Sequence, residues 1–215
     1  MTNEVAAKTK IAVNQNSLLN LGNTTENSLL EELNKTSEEK VSTVMSGDYK
    51  KTAKNADALA QTAELFMETK DGSLLSRLTT EEGKKAAADK LNQLVEKYNA
   101  TLSSLKKTGN ELDVYYAQMM KALVKENGDG LAALGVSYNA NGRLTFNADT
   151  FHKADADTVK SVLGGDSDFM QKLAFIADHI ADNANANAKS FSSRYNAAGM
   201  AQTQTAGAYM FDSKS

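Results

Sequence analysis

Apolar residues recur every three or four positions along most of this chain. That spacing sets side chains on one face of an α-helix. Leu30, Leu33, Val41 and Val44 make the first such stripe, with Ser37 between them. Asn23 with Glu26 suits a capping box at its start, Gly47 a stop, and Asp48 the cap of a second helix. The second helix, to about Lys70, carries Tyr49, Ala53, Ala56, Leu59, Ala63 and Phe66. Alanines on a packing face let two helices approach closely. Asp71-Gly72-Ser73 breaks it, and Leu74, Leu75 and Leu78 form a short apolar patch.

Thr79-Thr80-Glu81-Glu82 then reads as a capping box opening a third helix that runs to about Lys107. Its face is Ala87, Leu91, Leu94, Tyr98 and Leu105, flanked by Val95 and Leu102. Gly109-Asn110 is a turn. A fourth helix from Glu111 places Leu112, Tyr116, Met119 and Leu123 together, and Asn127 to Gly130 ends it. Short connections between such helices imply antiparallel neighbours.

The period changes once. From Leu134 to Asn147, Val136 and Tyr138 alternate with polar residues, as do Leu144 and Phe146. Asn141-Gly142 lies between them, two residue types that tolerate the positive φ of a tight hairpin turn. A lone hairpin is marginal in water, so its apolar face must rest on helices. Beyond it, Asn147 caps a turn through Phe151, and Asp155 caps a helix burying Val159, Val162 and Leu163, closed by Gly164-Gly165.

The last helix starts near Asp168. Phe169, Leu173, Ile176, Ile180, Ala184, Asn187, Phe191 and Tyr195 share its face. The stripe persists after its neighbours turn polar, and no later helix follows to cover it. A face of that kind is half-docked or meets another chain. Phe169, Leu173, Ile176, Ile180, Phe191 and Tyr195 are therefore the candidate partner contacts. If they are, changing Ile176 and Ile180 to Asp abolishes association.

The expected fold is mainly α: an elongated antiparallel helical bundle with one short β-hairpin at about 134–147. Residues 1–22 read as a flexible N-terminal arm, 23–198 as the bundle with its inserted hairpin, and 199–215 as a flexible C-terminal tail. The 215 residues include no proline, which helix interiors exclude. They include no cysteine, which removes disulfides, thiolate chemistry and Cys-based metal sites. A net charge of −3 without a basic stripe argues against nucleic acid. No apolar run suits a membrane span, and Met1 to Asn20 shows no apolar core of a secretory signal.

Chemistry is sparse. Neither His152 nor His179 has a second histidine at helical spacing to make a metal-binding array. Asp155, Asp157, Asp166 and Asp168 lack the closing Glu of a calcium loop and read as helix caps. Ser103 and Lys106 have the spacing of some acyl-transfer enzymes, but the companion motifs are missing. A pocket lined by Asp129, His152 and Asp155 is the one arrangement that would favour an enzyme. The expectation is no catalysis, no cofactor and no metal.

Three segments together carry a family likeness. Leu94-Val-Glu-Lys-Tyr-Asn-Ala-Thr-Leu-Ser-Ser-Leu105 resembles the helix entering the C-terminal region of the flagellar filament cap, or hook-associated protein 2, family. Leu131-Ala-Ala-Leu-Gly-Val136 with Asn141-Gly-Arg-Leu-Thr-Phe146 resembles that family's hairpin, and Thr158-Val-Lys-Ser-Val-Leu-Gly-Gly-Asp166 its next helix, ending in a glycine pair. Order and spacing fit over roughly residues 90–195. The resemblance implies a structural, non-enzymatic role outside the cell, in the bacterial flagellum. It implies self-association and contact with flagellin or other axial proteins. The strand repeats of that family's outer domains are absent, and the first 80 residues do not carry its N-terminal pattern. The chain is thus a reduced form holding the helical core, or a relative without the cap role. The alternative is a helical binding or adaptor module unrelated to flagella, in the cytoplasm.

Overall fold

The fold, seen in a computed structural model, is described for residues 23–193, with side chains from 33 onward except those at 38 and 39. The arm and tail expected at 1–22 and 199–215 lie outside these residues. The chain divides into two units: Met1–Val44 with Arg194–Ser215, and Met45–Ser193.

The described part is predominantly α with one two-stranded antiparallel sheet. Its elements are α1 (Asn23–Met67), a 3₁₀ turn (Leu74–Arg77), α2 (Glu81–Thr108), α3 (Glu111–Glu126), α4 (Gly128–Ala133), β1 (Val136–Tyr138), β2 (Leu144–Phe146), α5 (Ala148–Lys153), α6 (Ala156–Leu163) and α7 (Asp168–Ser193).

One correction concerns the first two expected helices. They are a single helix of 45 residues, α1, running straight through Gly47. A glycine costs about 1 kcal/mol relative to alanine in a helix interior, too little to stop a helix without proline or a cap. Within the first unit, Leu33, Val41 and Val44 of α1 are 64%, 61% and 59% exposed. The helical period there is real, but it does not mark a buried face.

The second unit holds the core. Tyr49, Ala53, Ala56, Leu59, Ala63 and Phe66 are all buried, as their spacing predicted. So is the α2 face from Ala87 through Leu91, Leu94, Tyr98, Leu102 and Leu105. The α3 face is displaced by one position. Leu112 is exposed and Tyr116 and Met119 are only part-buried, whereas Asp113, Ala117, Met120, Leu123 and Val124 point inward. Two apolar stripes compete on α3, and its packing against α2 and α7 selects the one with the smaller Ala117.

Caps fix the helix starts. Thr80, not Thr79, caps α2, its hydroxyl accepting from Gly83 N at 3.0 Å. The third helical residue is then Gly83, so the expected reciprocal Glu is absent. A Cβ at Gly83 would lie 1.8 Å from the Arg77 carbonyl oxygen. Glycine is required there because the 3₁₀ turn packs directly onto the backbone of α2. Asn110, Asn147 and Asp155 cap α3, α5 and α6 through their side-chain oxygens.

The hairpin pairs Val136 with Phe146, Ser137 with Thr145, and Tyr138 with Leu144. Its loop is longer than the expected two-residue turn. Gly142 N donates to Asn139 O at 2.8 Å, and Asn139 N donates to Arg143 O at 3.0 Å. Among the described residues only glycines have positive φ, and Gly142 has φ 76°. This is a type I turn closed by a left-handed glycine, with the Asn139 carboxamide oxygen accepting from Asn141 N and Arg143 N. Val136 and Leu144 are buried against the helices, while Tyr138 remains 45% exposed.

Candidate functional site

The α7 face was the leading candidate. Phe169, Leu173, Ile176 and Ile180 are 2%, 1%, 5% and 1% exposed, inside this chain's own core. α7 packs against α3 and α6, and its far end lies along α1. Ser46 Oγ donates to the Ala188 carbonyl at 3.2 Å, and Phe191 stacks on Tyr49 with ring centroids 5.7 Å apart. The expectation of an uncovered face is therefore corrected for these residues. The covering helices precede α7 in sequence, so its face needs no later helix to cover it. Tyr195 lies outside the described residues.

Exposed apolar side chains stand elsewhere. Besides Leu33, Val41 and Val44 on α1, they include Leu112, Val114 and Tyr115 on α3 and Phe175 on α7. Phe175 meets His179 edge to face at 4.2 Å, which makes that histidine one half of a surface aromatic pair.

His152 lines an open groove of about 620 Å³ between the start of α2, β2 and α5. Glu81, Glu82, Lys85, Asp89 and Phe146 share its walls. Asp129 and Asp155 do not, so the one arrangement that favoured an enzyme is not formed. Asp155 instead turns both oxygens on Thr158, accepting from its N–H at 2.7 Å and its hydroxyl at 2.7 Å. These bonds hold the Asp155 carboxyl below its ordinary value. Among the described residues no three His, Cys, Asp or Glu side chains come together as a metal site. Ser103 donates to the Asn99 carbonyl and accepts from Arg143 Nη1, a surface arrangement with no lysine in it.

The least expected feature is a polar layer inside the bundle. Asp113 is fully buried, with Oδ1 3.5 Å from Asn183 Nδ2 and Oδ2 without a hydrogen-bond partner. Tyr49 OH accepts from Asn110 Nδ2 at 2.7 Å. Burial pushes the Tyr49 phenol above its ordinary pKa, and the Asp113 charge adds in the same direction. Half-buried Asn55 donates from Nδ2 to Ser104 Oγ at 2.7 Å, joining α1 to α2, and half-buried Asn187 donates from Nδ2 to the Asn183 carbonyl at 3.0 Å within α7. The sequence carried one signal for this layer. Asp113, Ala117, Met120 and Val124 share a helical face, and a carboxylate on an apolar face marks a buried polar position.

No protein-family model, curated protein or solved structure matches the chain. No helix among the described residues is long and apolar enough to cross a membrane.

Proposed function

We propose that this chain is a non-enzymatic structural protein of the flagellar axial type, similar to the filament cap family, acting by helix–helix association in flagellar assembly outside the cell. The observation that carries the reading is the display of Leu33, Val41 and Val44 on one side of the continuous helix α1. At 100° per residue the three fall within an arc of about 80°. Apolar side chains grouped on an exposed helix face gain most by meeting another apolar helix. The occupant proposed is a second copy of the chain, with flagellin as the partner implied by the resemblance at 94–105, 131–146 and 158–166. The hairpin and the glycine-ended helix α6 occur in the order that family has.

The test is sedimentation across a concentration series, with retention of flagellin measured in parallel. The wild-type chain is expected to self-associate, and Leu33→Asp with Val44→Asp to weaken this at least about tenfold. Both residues are exposed, so the double variant keeps its fold. A wild-type chain that stays monomeric and leaves flagellin unbound overturns the proposal. Undiminished association in the variant removes α1 as the contact.

A further inference from the structure

We infer that the polar layer around Asp113 is an opening boundary, across which the end of the α1–α7 pair undocks as one cooperative unit while the main core stays closed. The buried apolar residues of the second unit fall into two separate clusters. The larger contains Leu, Ile, Phe and Met side chains from α1, α2, α3, the hairpin and α7. The smaller is Tyr49, Ala53, Ala184 and Ala188, with Met45 and Phe191 against it. Along α1 the change falls at Asn55, between Ala53 and Ala56. Along α7 it falls at Asn183, between Ala181 and Ala184. Asp113 and Asn110 stand at the same level on the first turn of α3.

The energetics favour separation at this level. Hydrophobic stabilisation scales with apolar area, and three of the four residues in the smaller cluster are alanines. Its α1 side contains Gly47, the weakest helix former after proline. The Asp48–Lys107 pair that also ties α1 to α2 spans 2.6 Å, but the lysine is 65% exposed, and water competes for it. Asp113 Oδ2 is unsatisfied while the layer is closed. Opening gives that oxygen water, so the buried carboxylate lowers the cost of undocking. Undocked helix ends are marginal in water and lose their amide protection.

Residue-resolved hydrogen exchange on the full chain tests this. Amides of Tyr49–Ala53 and Ala184–Ala188 are expected to share one level of protection. That level is about tenfold or more below the amides of Leu91–Tyr98 and Leu173–Ile180. Asp113→Leu joins the two clusters and is expected to narrow the gap. Should that variant fail to fold, Gly47→Ala decides, because a Cβ there meets nothing within 4 Å. It is expected to raise protection in both segments together, about fivefold. Equal protection of both segments and the main core in the wild type overturns the inference. So does a Gly47→Ala effect confined to α1.

Discussion

At the residue scale, a buried hydroxyl without a partner gives the clearest expectation. Tyr98 is 0% exposed and its phenol oxygen has no hydrogen-bond partner. Burial pushes its pKa well above the ordinary value. Tyr98→Phe removes a desolvated hydroxyl and keeps the ring, so thermal unfolding should show unchanged or raised stability, by up to about 1 kcal/mol. Tyr49 and Tyr98 both titrate higher folded than unfolded. Their contribution is complete below the ordinary phenol value and disappears as pH rises through the raised values. Alkaline unfolding curves should therefore shift to higher pH in Tyr98→Phe. Asp155 works in the opposite sense. Its lowered carboxyl contributes above the ordinary carboxylate range, and that contribution disappears as pH falls through the lowered value.

At the element scale, the hairpin depends on one side chain from α2. Asn99 donates from Nδ2 to the Leu144 carbonyl at 2.8 Å and accepts from Leu144 N at 2.9 Å. The carboxamide behaves as a short third strand. Asn99→Ala leaves both groups of Leu144 unpaired beside buried apolar atoms, a loss of about 2 kcal/mol readable by chemical denaturation. Asn99→Asp restores only the acceptor and should recover part of it. The hairpin itself was legible because Val136, Tyr138, Leu144 and Phe146 keep a period of two. Its loop was not, because Asn139 decides the turn through side-chain bonds that leave no trace in an apolar pattern. Gly47 misled for a related reason. A glycine ends a helix when its backbone leaves the helical region, as Gly109 does with φ 64° and Gly164 does in an extended conformation, whereas Gly47 stays helical.

At the scale of the whole molecule, helical periodicity identified the residues that are buried in α2 and α7 but not what buries them. Ile176 and Ile180 sit in the main core, so changing both to Asp should unfold the second unit rather than simply weaken association. Loss of the cooperative far-ultraviolet transition would show it, since two buried carboxylates without partners cost several kcal/mol. The candidate partner face was hidden in the sequence because Leu33, Val41 and Val44 have the same spacing as a core stripe. Periodicity reports a face, and only the surrounding helices determine whether it is inside. The polar layer was legible only at Asp113, because its other members come from α1 and α7, which only the tertiary fold brings to α3.

The Asn99 clasp also bears on growth by strand addition. An open β edge invites a strand from a neighbouring molecule, the first step toward fibrils. On β2 that docking position at Leu144 is already filled by an amide from within the chain. On that side the little sheet is closed, and a neighbouring strand finds no free ladder position at Leu144 on which to start a stacked ribbon.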